Sequence, residues 1–197
     1  MEIPIFPLNG AVLFPGTSLP LNIFEKRYIE MVDYALSKER CIGMIQSDEK
    51  NKLYNIGCIG KIHSFSETTD GRYLISLQGT NCFKVKKELE KNYKFRLVEA
   101  EMLDFEEDKN IINEKQKNNL LDKYSHYIKV KKINLNIEEI QNIDFNQIIK
   151  FIAMISPFSD IEKQVLLETK NLSDFYKKLH SILELEIVED NNSKTIN

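Results

Sequence analysis

The chain has 197 residues, with 27 Lys and Arg against 30 Asp and Glu and a formal net charge of −3. Apolar residues at 42% and charged residues at 29% describe an ordinary globular protein with enough apolar mass for a core. These values exclude a large multidomain ATPase by length, nucleic-acid binding by bulk positive charge, and a membrane-spanning helix, which needs about 20 apolar residues in a row.

Taken in chain order, the start Met1-Glu2-Ile3-Pro4-Ile5-Phe6-Pro7 has no basic residue, and prolines break its apolar stretch. No secretory signal is expected, and the expected compartment is the cytoplasm. Pro7, Pro15 and Pro20 fix φ and are read as pinning an irregular opening segment, with Gly16 at a turn. Phe6, Phe14, Leu21 and Phe24 are assigned to the core. Phe24, Tyr28, Met31, Val32, Ala35 and Leu36 recur at helical spacing and predict a helix, whose start Glu25 and Arg27 flank.

Strands are expected at Cys41–Ile45, Ile56–Ile62 and Tyr73–Leu77, the last following a hairpin turn at Asp70-Gly71. Phe83-Lys-Val-Lys86 and Tyr93–Val98 alternate apolar with basic residues, the period of a half-exposed antiparallel strand. All seven glycines lie at or before Gly79, and four of the five prolines at or before Pro20, so the second half reads as helical. Its apolar stripes are Ile112 to Ile128, Phe145 to Ile152 (opened by Asp144) and Leu172 to Leu183. Ser159-Asp-Ile-Glu162 is a capping box, and Pro157 ends the helix before it. The expected division is a β-rich part at 1–107, a helical part at 108–188 and a disordered tail at 189–197. The fold class is α+β.

Sites of chemistry are scarce. Cys41, Cys58 and Cys82 have no CxxC spacing and read as reduced, buried small residues. His63, His126 and His180 have no ligand-spaced neighbours, so neither a metal nor a cofactor is expected. Gly57-Cys-Ile-Gly-Lys61 lacks the spacing of a phosphate loop and reads as a close backbone approach or bulge. Lys84-Val-Lys86-Lys87 reads as the wet face of a strand, and Lys129-Val-Lys131-Lys132 as a helix end.

The opening segment carries the most specific pattern: Ile3-Pro-Ile-Phe-Pro-Leu8, Val12-Leu-Phe-Pro-Gly16, Leu19-Pro-Leu21 and Ile23-Phe-Glu-Lys-Arg-Tyr28. Together with Gly57-Cys-Ile-Gly60, Asp70-Gly-Arg72, Gly79-Thr-Asn-Cys-Phe83 and Pro157 to Glu168, it resembles the N-terminal substrate-binding domain of Lon proteases over about residues 1–187. Cys82 stands where that family usually carries an arginine. The resemblance implies a PUA-like β pseudobarrel with one inserted helix, followed by a helical bundle. It implies a non-enzymatic module that binds exposed peptide or protein segments, in protein quality control, without the ATPase and Ser–Lys protease domains of Lon. An RNA-binding PUA-like protein is the alternative; neither a membrane nor nucleic acid is the expected partner, and the oligomeric state stays open. The residues carried over as binding candidates are Phe14, Pro15, Gly16, Phe24, Glu25, Arg27, Tyr28 and Arg72. Read from the residues alone, all have structural roles.

Overall fold

β-branched and small residues in the first hundred positions fold into six described strands: β1 (Glu2–Pro7), β2 (Ser18–Ile23), β3 (Cys41–Ile45), β4 (Ile56–Glu67), β5 (Tyr73–Leu89) and β6 (Arg96–Leu103). The described helices are α1 (Lys26–Leu36), α2 (Glu114–Val130), α3 (Phe145–Ile155), α4 (Asp160–Leu167) and α5 (Leu172–Thr195). The computed structural model describes residues 1–48, 50–105, 112–135 and 143–195, with side chains to Glu189. Contacts divide the chain into two compact units, Met1–Phe105 with Met154–Glu168, and Glu106–Ala153 with Thr169–Asn197. The boundary expected at residue 107 lies outside the described residues.

In the first unit the strands are ordered β2-β5-β4-β3-β1-β6, and β6 also pairs with β5. The pairing series β5–β4–β3–β1–β6 therefore returns to β5, while β2, among the described strands, pairs with β5 alone. β1 runs parallel to β3, and the other ladders are antiparallel. Ile3, Ile5, Ile45, Ile59, Phe83, Val98 and Ala100 form one buried cluster. α1 buries Tyr28, Met31, Val32 and Ala35 on one side, as its spacing predicts.

Two differences from the sequence reading concern the sheet. The proline-rich opening is not irregular throughout: Pro4 and Pro7 lie in β1 and Pro20 lies in β2. Proline lacks an N–H, so it survives in strands where that group faces away from the ladder. At β2 this is met: Gly79 N donates to Thr17 O at 2.8 Å, and the alternation puts Leu19, Leu21 and Ile23 on the β5 side. Ser18, Pro20 and Asn22 then form the outer row. The second difference is β5, where the two segments expected at Tyr73 and Phe83 are one continuous strand through Gly79.

α4 belongs with the first unit, as α1 does, rather than with α2 and α5. Its Ser159 capping box forms as expected, with Glu162 N donating to Ser159 Oγ and Ser159 N donating to Glu162 Oε2. In the second unit α2 and α5 bury Leu120, Tyr124, Tyr127, Phe175, Leu179 and Leu183. Asn113 caps α2, and Lys131–Glu186 at 2.7 Å and Lys123–Glu184 at 3.2 Å join the two helices. α5 runs to Thr195, past Glu189, where composition starts a disordered tail.

Candidate functional site

The candidate residues separate into buried and outward groups. Phe14 is 1% exposed, and Thr17 Oγ1 donates to its carbonyl at 2.8 Å while accepting from its N–H at 3.2 Å. Gly16 has φ +87°, a left-handed conformation that side-chain-bearing residues seldom adopt, and Pro15 leads into it. Its N–H donates to Gly79 O at 2.9 Å. A Cβ at Gly79 would stand 2.2 Å from Phe14 O, so the two glycine motifs of the sequence meet here in one close approach. Phe14 is packed inside the first unit, and Gly16 and Gly79 stand where a side chain would be strained or would clash.

Phe24 is a correction. Assigned to the core from its helical spacing, it is 67% exposed, the most exposed aromatic among the described residues. The reason is its position between β2 and α1, where Glu25 is already the N-cap and Tyr28 is the first residue of the buried stripe. Leu21 is half-buried, and Phe6 is buried with its ring 4.3 Å from that of Tyr28. Phe65 and Leu74 are exposed as well, at 43% and 44%. The ladder register sorts them by face: Leu74 is opposite Asn22 and Ser66, while Phe65 is opposite Ile75 on the other face, where the Phe65 and Tyr73 rings are 4.9 Å apart. Phe24 directly follows Ile23, which pairs with Tyr73. Phe24, Phe65 and Leu74 thus all lie at one end of the β2–β5–β4 ladder, with Leu74 and Phe65 on opposite faces of it. The sequence reading did not single out Phe65 or Leu74. An apolar residue between two serines along the strand, as in Ser64-Phe65-Ser66, was the available signal.

Glu25, Arg27 and Tyr28 occur together beside a second feature. Arg27 Nε donates to Glu25 Oε2 at 2.9 Å, and the Arg27 guanidinium lies 4.5 Å from the Tyr28 ring centroid. Burial pushes the Tyr28 hydroxyl pKa up, so it remains a proton donor at neutral pH. These two residues line a cleft of about 450 Å³ whose other polar walls include Asn9, Asn51, Lys94 and Arg96. Arg96 is held by a fork to Glu88, both arms 2.7 Å, and by Asn51 O at 3.2 Å. Arg72 is elsewhere, at the β4–β5 hairpin turn, paired with Asp70 at 2.8 Å. It is not brought to the cleft.

The remaining motifs have structural explanations. In Glu162-Lys163-Gln164 of α4, Lys163 Nζ donates to Gly10 O at 2.9 Å. Gln164 Nε2 donates to Ile56 O at 3.0 Å, and Gln46 Nε2 reaches Gln164 Oε1 at 3.0 Å. That motif therefore docks a helix onto the strands. Gly57–Gly60 lies in β4 beside a register shift. Lys86 pairs with Glu101, and Lys87 with Glu99 at 3.5 Å, so acids across the ladder offset the first lysine cluster. His63 and His126 are exposed, and His180 faces Asn119 at 3.0 Å. Cys58 is buried, whereas Cys41 and Cys82 are half-buried rather than fully so, and none of the three is in a disulfide. Among the described residues no group of His, Cys, Asp and Glu could hold a metal, and no helix is long and apolar enough to cross a membrane.

The comparisons with known proteins agree with one another. The chain is 28% identical over 201 residues to the Lon protease of Buchnera aphidicola subsp. Baizongia pistaciae, covering 95% of this chain and 25% of that protein. It is 27% identical over 200 residues to the Lon protease of Dictyoglomus thermophilum, again covering 95% of the chain and 25% of the relative. The chain thus spans about a quarter of the length of these relatives. A Lon N-terminal domain protein from Xanthomonas campestris superposes with a TM-score of 0.67 at 18% identity, over 93% of this chain and 98% of that one. The N-terminal domain of the Mycobacterium avium complex Lon protease gives 0.69 at 14% identity with the same coverage. These two likenesses establish the mixed α and β fold. The family model of the ATP-dependent protease La (Lon) substrate-binding domain matches residues 2–184, and the chain belongs to that family.

Proposed function

We propose that this chain is a non-catalytic module of cytoplasmic protein quality control that binds exposed apolar segments of other proteins at the Phe24 end of the β2–β5–β4 ladder. The observation that carries the reading is the outward Phe24 ring, 67% exposed inside the segment that resembles the family most closely. Exposed aromatic and aliphatic side chains clustered on a soluble surface are the usual anchors of protein recognition. The outer row of β2 adds unpaired backbone groups, which an extended segment can meet, although Pro20 removes one donor from it. The RNA reading has less support, because the lysines that motivate it are offset across the β5–β6 ladder.

The test is anisotropy of a dye-labelled, reduced and unfolded protein titrated with this chain. Saturable binding at roughly tens of micromolar is expected, weakened about tenfold by Phe24→Ser with Leu74→Ser. No saturation, or equal binding by the double variant, rejects the site. Cleavage of casein without ATP would reject the non-catalytic part. For the RNA alternative, no binding at about 50 mM salt is the expected result.

A further inference from the structure

We infer that the cleft between α1 and the start of β6 is a second binding site, and that it takes a peptide carboxylate. The cleft is assembled from four separate stretches of the first unit: the end of β1, the α1 start, the loop after β3 and the β6 start. Arg27, Lys94 and Arg96 all line it, and among the described residues no carboxylate does. Two of these cations are partly offset from outside the cleft, Arg27 by Glu25 and Arg96 by Glu88. The offset is unequal. Glu88 takes two nitrogens of the Arg96 fork and Asn51 O the third, so Arg96 is an anchored wall with little left to donate. Arg27 bonds through Nε alone, which leaves its terminal nitrogens open. Lys94 has no partner among the described residues.

The neutral groups have the same polarity. Asn9 Oδ1 accepts from Ser47 N at 3.0 Å and from Ser47 Oγ at 3.2 Å, which fixes its amide and leaves Nδ2 as a donor. The Tyr28 hydroxyl makes no hydrogen bond among the described residues. The cleft therefore offers donors from Arg27, Lys94, Asn9 and Tyr28, with no carboxylate among its described lining residues. A carboxylate answers this set, since charge-assisted bonds to Arg and Lys are the strong ones. At about 450 Å³ the space exceeds a bare ion and suits a residue or two of peptide, with Phe95 and Leu8 as apolar walls. The carboxylate could come from a chain terminus or from an Asp or Glu side chain. The site rests on the proposed function only for the polypeptide nature of its ligand, because its chemistry is separate from that of the Phe24 surface.

Three dye-labelled peptides without large apolar residues separate the sources: one with a free carboxyl terminus, one amidated, and one amidated with an internal pair of glutamates. Binding of the first or the third, but not of the second, is the expected result, and which of them binds identifies the source. Lys94→Gln should weaken the bound peptide roughly tenfold and Lys94→Glu more, with a fall in affinity as salt rises. Lys94 is exposed and unpartnered, so both variants should keep the wild-type fold. Binding of the unfolded apolar protein should survive Lys94→Glu and fail in the Phe24/Leu74 variant, so the two sites can fail independently. Equal binding of all three peptides, binding of none, or indifference to Lys94→Glu overturns the inference.

Discussion

Phe14 and Phe24 are ten residues apart, the same residue type, in one proline-rich segment, and their energetics should be opposite. Phe14 is 1% exposed with its backbone clamped by Thr17, so Phe14→Ala should cost about 3–5 kcal/mol through lost burial and a cavity. Phe24 is 67% exposed, and Phe24→Ala should change stability by less than about 0.5 kcal/mol. Urea unfolding of the two variants measures both, and a large loss at Phe24 would show that its ring is covered in solution. Spacing could not separate these residues. Phe24 sits at an i, i+4 position relative to Tyr28 and so reads as part of the helical stripe, but the helix begins at Lys26 and the stripe at Tyr28. Whether a residue just before an N-cap turns inward depends on how the preceding strand delivers the chain, and that is a tertiary fact. Gly16 and Asp70-Gly71 were legible because a positive φ demands a residue type, and both positions have one.

At the level of the element, signals that are local to the chain survive and signals that depend on a distant partner do not. The Ser159 capping box was readable because both of its bonds close within three residues. Ser159→Ala should destabilise by about 1 kcal/mol in thermal or urea unfolding. The side of the molecule that α4 covers was not readable, because it is decided by Gly10, Gln46 and Ile56, more than a hundred residues away. Lys163 makes that docking testable by pH. It is buried, and desolvation lowers its pKa from the ordinary lysine value, with Asp160 acting the other way. Since the unfolded chain holds this proton more tightly, stability should rise as the pH climbs through the folded pKa towards the unfolded value. Lys163→Met removes that rise. Urea midpoints measured at rising pH, up to about the unfolded lysine value, should therefore diverge in favour of the wild type, and parallel curves would show that Lys163 is not desolvated.

For the whole molecule the decisive strand is β5, which pairs with β4 from Tyr73 to Lys84, with β2 from Tyr73 to Gln78 and with β6 from Cys82 to Leu89. Its alternating pattern was legible, yet its continuity was not, because Gly79 reads as a break until Phe14 O is found 2.2 Å from where a Cβ would stand. Nor could the parallel β1–β3 pairing be read, since a parallel pair is joined by a crossover, here β2 and α1, and not by a local turn signal. The same long-range pairing decides how the charges act. Lys84 is opposite Glu101 and Lys87 is opposite Glu99, while Glu88 beyond them takes the Arg96 fork. A row that reads as a basic cluster in sequence is thus a row of cross-strand ion pairs. Glu88 is the informative member, because Arg96 hydrogen bonds and charge hold its carboxyl below the ordinary glutamate pKa, against a smaller desolvation effect. A depressed carboxylate contributes stability that is present above the unfolded glutamate pKa and lost as the pH falls through the folded one. The pair is partly exposed, so the contribution is modest and should shrink with salt. Glu88→Gln should leave the fold intact, since Asn51 O still holds Arg96, and should flatten the acid side of the stability curve below the ordinary glutamate range. If the variant and the wild type lose stability in parallel as the pH falls, the β5–β6 pairing is held by its backbone and by Phe83 and Val98 alone.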